Sequence, residues 1–399
     1  MSADDLKLSR REVLIGAAAC LAPVPWSFDA LAQVPVTSPA EVARIKGIVL
    51  GANVDPFEMK DSQGVLGTNV DPFKMRDAQS WAILSKYYRG VTSQASLDFA
   101  VQRPTYTQPL RFHFTDVLAK FARARDFDFR IRPMVWWARV PAWFVGLDNA
   151  AAKEEWLSYV RTSVSRYRGQ ATSIECPFEA IDEDGFGLRK DAYYIRMFGE
   201  QALDLFYNTA READPSARLV YSEHALEYAA LKNDRRRLAV LRLLERLLKR
   251  KVPIDTLGIE GHLWTGQLFN EGRFRSFLAE VAAMGLEIHI TELDCADFNS
   301  PDHRRDLDVA AEYARFLRIV LDEPKVTRIY THGMSDQYSW INRTKFYAEF
   351  GGRRADGLPQ RPLPFDNDYR PKPAFDAITE ALTNAPPRGP VKSSKYTAE

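Results

Sequence analysis

From about residue 45 onward, short apolar runs alternate with longer stretches whose apolar positions recur every three or four residues. The short runs, at 88–92, 129–136, 173–177, 218–222, 256–261, 286–291 and 328–332, have the length and the β-branched and aromatic content of buried strands. The longer stretches, at 114–125, 156–167, 193–212, 235–249, 274–284 and 306–321, carry the one-sided pattern of amphipathic helices. One further strand before residue 88 completes eight βα units. Strand–helix alternation predicts a parallel sheet covered by helices. Eight units predict its closure into a (β/α)8 TIM barrel, α/β in class. No GxGxxG follows any strand, so an open dinucleotide-binding sheet has no motif behind it.

The early strand has two candidates. Gly51-Ala52-Asn53-Val54-Asp55-Pro56-Phe57 recurs as Gly67-Thr68-Asn69-Val70-Asp71-Pro72-Phe73, a period of 16 that occurs twice. Two copies do not make a solenoid. This is a local tandem duplication, and either copy could supply the first strand.

Composition narrows the partners. The chain has 399 residues, 46% hydrophobic and 27% charged, with a formal net charge of +1. That balance gives no global field for nucleic acid or an anionic membrane. The basic residues Arg235-Arg236-Arg237 and those of 242–251 alternate with Leu in helical spacing and predict a solvated helix face. Of three cysteines, Cys20 lies in the leader described next, which leaves Cys176 and Cys295. There is no CxxC and no Cys/His cluster, so no structural zinc site is expected, and whether the two cysteines pair is open. No metal and no cofactor are expected.

The amino terminus reads as an address. Ser9-Arg10-Arg11-Glu12-Val13-Leu14 precedes a short apolar stretch, and Ala30-Leu31-Ala32 offers a small-x-small cleavage site. That order predicts a twin-arginine-type signal peptide over 1–32, and hence export to the periplasm or beyond. The barrel is expected over 33–385 and a tail over 386–399. No later segment reaches the roughly 18 apolar residues of a membrane span.

Chemistry in such a barrel gathers at the carboxyl ends of the strands. Glu179 follows the fourth of the eight predicted strands, and Glu223 follows the fifth. Glu260 and His262 end the sixth, and Glu292 ends the seventh in the alternating run Ile288-His289-Ile290-Thr291-Glu292. Two carboxyl groups on one rigid mouth suit glycoside cleavage, one as nucleophile and the other as proton donor. The residues alone equally allow a structural ion pair or a metal ligand set.

Six patches in order carry a resemblance. They are Arg166-Tyr167-Arg168-Gly169 before Glu179-Ala180-Ile181, Ala213-Asp214-Pro215 before 219–227, and 253–263 around Glu260-Gly261-His262-Leu263. Thr291-Glu292-Leu293-Asp294, Ser335-Asp336-Gln337-Tyr338-Ser339-Trp340, and Phe365-Asp366 with Lys372-Pro373-Ala374 complete them. Together they resemble glycoside hydrolase family 10, the xylanase family, over roughly residues 45–380. The resemblance implies a retaining hydrolase of β-1,4-linked polysaccharide, first of all xylan. Glu292 would be the nucleophile and Glu179 the acid/base. His262 would hold the nucleophile by a hydrogen bond. Arg132, Trp136, Glu223, Glu260, His332 and Trp340 would bind substrate. The partner is a polysaccharide or oligosaccharide, and a monomer is expected.

The departures from the family cluster in the sugar pocket. Phe178 stands where an Asn precedes the acid/base, and a ring cannot bond the sugar 2-hydroxyl. The family's Arg-Gly-His-Thr-Leu-Val-Trp-His is here Arg130-Ile131-Arg132-Pro133-Met134-Val135-Trp136-Trp137, which puts Arg132 in place of a His. Glu260 replaces a Gln, Gln94-Ala95 a Glu-Asn pair, Asp98 a Lys and His332 a Trp. Arg132 could pair with Glu260 or meet an acidic group on the sugar. A different, acidic glycan and a carbohydrate-binding protein without catalysis therefore stand as alternatives.

Overall fold

The structure, a computed structural model, describes residues 38–54, 78–132, 134–343 and 354–389. The expected leader, the second copy of the duplicated segment and most of the tail fall outside them. Eight parallel strands close a barrel: β1 (Val49–Val54), β2 (Gly90–Ser93), β3 (Asp128–Ile131), β4 (Ser173–Glu175), β5 (Arg218–Glu223), β6 (Thr256–Ile259), β8 (Glu287–Ala296) and β9 (Val326–Thr331). Each pairs with the next, β6 pairs with β8, and β9 returns to β1 with Gly51 beside Tyr330. The short β7 (His262–Trp264) pairs only with the end of β8, His262 beside Asp294. That pairing carries β8 five residues past the predicted end at 291.

The first copy of the duplication supplies β1. Its residues fill a tight place. Gly51 and Gly90 lie against the ring of Tyr330, and a Cβ on Gly90 would stand 2.6 Å from the Tyr330 hydroxyl. Nearby, Asp128 accepts from Tyr330 Oη at 2.6 Å and from Arg328 Nε at 3.0 Å. The barrel floor is thus closed by one aromatic ring and a buried ion pair.

Helices cover the outside because each has one apolar stripe. The main ones are α1 (Pro39–Ile45), α2 (Ala78–Tyr87), α3 (His113–Arg125), α4 (Asn149–Arg166), α5 (Gln201–Ala213), α6 (Leu231–Lys249), α7 (Glu271–Ala283), α8 (Arg305–Leu321) and α9 (Pro373–Asn384). In α8 the buried residues Val309, Tyr313, Phe316, Leu317 and Val320 fall on that stripe. Asp148 caps α4 by accepting from Ala151 N at 2.8 Å, and Asn270 caps α7 from Arg273 N at 3.0 Å. The predicted helix over 193–212 is two helices, Tyr193–Phe198 and α5, parted at Gly199, whose φ of 59° no helix accepts.

Two other expectations change. The third strand ends at Ile131, not 136, and the next residues toward Trp136 pass through Pro133, which has no N–H for a ladder. Of the basic run on α6, Arg236 and Arg237 are buried rather than solvated, because they turn inward onto carbonyl and carboxylate oxygens. No helix among the described residues is long and apolar enough to cross a membrane.

Candidate active site

Glu292 sits where β8 reaches the mouth, only 4% exposed. Arg132 Nη2 reaches its Oε1 at 2.5 Å, and His332 Nδ1 lies 3.0 Å from its Oε2. Burial, the largest influence, pushes this carboxyl toward neutrality. The charge of Arg132, with His332 and His262 behind it, outweighs burial and holds Glu292 well below the usual carboxylate range. The ion pair expected between Arg132 and Glu260 is therefore replaced by one with Glu292. Arg132 Nε also stands 3.6 Å from Glu175, and Nη1 donates to the Gln94 carbonyl at 3.1 Å, so both Nη groups are occupied. Below it Arg130 meets Glu175 and donates to the Thr291 carbonyl at 3.1 Å. Acid and guanidinium thus alternate up the barrel axis.

His262 does not make the hydrogen bond expected of it. Its Nε2 is 3.8 Å from Glu292 Oε2, too far, because its Nδ1 is drawn to Asp294 Oδ1 at 2.8 Å. Trp340 Nε1 donates to the other oxygen of Asp294 at 2.7 Å. The ring on Glu292 is His332 instead. Burial disfavours charge on His262, but Asp294 and Glu292 prevail and bring it up to about 8.

Glu179 follows β4 with a left-handed φ of 50°. Its N–H donates to the Ser222 carbonyl at 2.9 Å, which ties it to β5. Trp136 Nε1 and Trp137 Nε1 both donate to its Oε2 at 2.6 Å. His224 Nδ1 lies 3.9 Å from its Oε1. Phe178, the residue before it, is buried between Trp136, ring centroids 5.6 Å apart, and the Arg132 guanidinium, 5.4 Å from the ring.

Glu260 is 2% exposed, with Oε2 3.5 Å from His262 Nε2. Burial raises its pKa well above the ordinary value, and the charges of Glu179, Glu292 and Glu223 add to that, with Arg132 opposing. Glu223 does not offer an oxygen to a sugar. It is fully buried and accepts from Arg236 Nη1 at 3.0 Å, Tyr221 Oη at 2.8 Å and Ile181 N at 3.1 Å. Its place on the inner end of β5 makes it a brace between that strand, α6 and the loop after β4.

Sequence reading missed Trp137, His224, Asn53 and Glu175. The first two adjoin residues it singled out, Trp136 and Glu223. Asn53, on β1, places Nδ2 2.9 Å from His332 Nδ1 and 3.2 Å from the Thr291 carbonyl. Nothing local in the sequence marks it. Cys176 and Cys295 are both buried and unbonded.

A glycosyl hydrolase family 10 model matches residues 57–381. The chain belongs to glycosyl hydrolase family 10. Among its family 10 relatives, endo-1,4-beta-xylanase B of Paenibacillus barcinonensis is 27% identical over 73% of this chain and 88% of that protein. Endo-1,4-beta-xylanase B of Thermotoga neapolitana is 30% identical over 66% of this chain and 72% of that one. The crystal structure of xylanase 10B from Thermotoga maritima superposes with a TM-score of 0.74 at 23% identity, covering 86% of this chain and 98% of that chain. At that identity the likeness speaks for the barrel alone.

Proposed function

We propose that this family 10 chain is a retaining glycosidase that cleaves β-1,4-linked xylan, with Glu292 as nucleophile and Glu179 as acid/base. The observation that carries the reading is Glu292 itself: a carboxyl group buried at a strand end yet kept ionised by Arg132 and His332. An ionised, desolvated carboxylate is poised to attack an anomeric carbon. Glu179 would protonate the leaving oxygen as Glu292 attacks the anomeric carbon and forms the covalent glycosyl-enzyme, and would then draw a proton from the water that displaces Glu292 from that carbon. The two indole N–H groups fix the orientation of Glu179 throughout. Xylan comes to this chain from the relatives' activity and is the part to be tested. An acidic sugar finds both Nη groups of Arg132 already engaged, by Glu292 and by the Gln94 carbonyl.

Export on the twin-arginine-type leader over 1–32 belongs to the same proposal, with action on polysaccharide outside the cytoplasm. The test is reducing-sugar release from glucuronoxylan by the chain and by Glu292→Gln. We expect release by the first and a loss of at least about a thousandfold in the second, since the nucleophile has no substitute. Equal release by both would remove Glu292 from the role. No release by either would set xylan aside.

A further inference from the structure

Glu179, His224 and Glu260 come from three successive strand ends, those of β4, β5 and β6. One ligand-capable atom from each lies within 4.8 Å of the other two. No local spacing in the sequence announces them. Two polar atoms in this group are sealed from solvent and, among the described residues, have no hydrogen-bond partner: Glu260 Oε1 and His224 Nδ1. Nδ1 does lie 3.1 Å from Glu223 Oε1, but out of line for a hydrogen bond. Such atoms in a buried place call for something to bind.

The surroundings resemble a metal ligand shell. The other nitrogen of His224, Nε2, stands 3.5 Å from Glu183 Oε2, and Glu183 is held in turn by Arg236 Nη2 at 3.2 Å. A ligating histidine commonly gives its second N–H to a carboxylate in this way. A triangle with 4.8 Å edges has its centre about 2.8 Å from each corner, against about 2.0–2.2 Å for zinc bonds, so each atom moves inward by about 0.7 Å. Two carboxylates balance a dication. An imidazole among the donors favours zinc-class ions over calcium or magnesium.

We propose that the chain binds one divalent transition-metal ion between Glu179, His224 and Glu260, and that the bound ion stops glycoside cleavage by taking Glu179. The effect on cleavage rests on the acid/base role given to Glu179 above; the binding does not. Glu260 instead of the family's glutamine supplies the second negative ligand.

Calorimetric titration of the chelator-stripped chain with zinc chloride tests this, alongside visible spectra with cobalt(II). We expect one ion per chain, with the intense bands of a four-coordinate cobalt site. Glu260→Gln, nearly the same shape, and His224→Gln should each weaken binding at least tenfold, and zinc should inhibit xylan cleavage over the range in which it binds. Absence of saturable one-to-one binding overturns the proposal, as does an affinity unmoved by both substitutions. If the ion binds as described but the chain cleaves nothing even without it, the functional reading fails and the metal site stands.

Discussion

In the proposed mechanism, Arg132 decides the pH at which Glu292 can act. Its guanidinium is the main influence holding a buried carboxyl ionised. Because the folded pKa is depressed, the ionised form persists as pH falls and is lost only in strong acid. In Arg132→Gln that support goes, the carboxyl titrates at higher pH, and the acid limb of the kcat/KM profile for xylan should move up by one unit or more. The loss should be largest near pH 5 and smallest above neutrality; a limb that stays in place would mean His332 alone suffices. The sequence pointed to Glu292 because an alternating apolar run that ends in an acid is a local pattern, and to Glu179 by its place after the fourth strand and by the family resemblance. It did not show the pairing of Arg132 with Glu292, since those residues are 160 positions apart and meet only once the barrel closes. For the same reason Glu223 read as a pocket residue, although Arg236 and Tyr221 turn it inward.

At the scale of elements, the strands were legible and their ends were not. All seven predicted runs became strands, because in a parallel barrel both faces are buried and the apolar run is continuous. Where they stop depends on neighbours: β8 runs on because β7 pairs with it, and β3 stops early ahead of Pro133. The duplication was the one place where sequence offered two equal answers, and β1 uses the first. Residues 55–77, the 23 between β1 and α2, include a whole period of 16; deleting 55–70 joins Val54 to Asp71 and leaves 7. The deletion variant should keep its activity and unfold at a midpoint no lower than the parent's in a thermal scan. A clear fall would show that the insertion contributes more than length.

For the molecule as a whole, closure depends on a close fit where the first strands meet the last. Tyr330 on β9 lies over Gly51 and Gly90 and hydrogen-bonds Asp128, so β1, β2, β3 and β9 are fixed by one side chain. A methyl group at either glycine would collide with the ring. Gly90→Ala should cost about 1–3 kcal/mol, read as a lower urea midpoint at unchanged slope. Pairing it with Tyr330→Leu should recover part of that loss, since the smaller side chain yields the space. This fit was hidden from sequence reading, which sees glycine in a strand as weakness rather than as room for a ring three-quarters of the barrel away along the chain.

The backbone at Glu179 has a consequence in evolutionary terms. With φ at 50°, the position suits Gly or Asn far better than an ordinary side chain. Selection on stability alone would favour those residues. Glu179→Asn should accordingly raise the melting temperature while abolishing xylan cleavage. A glutamate in that place is a standing cost that stability alone would remove; on the acid/base role proposed for it, its presence records a lineage in which the reaction was worth more than the last increment of stability.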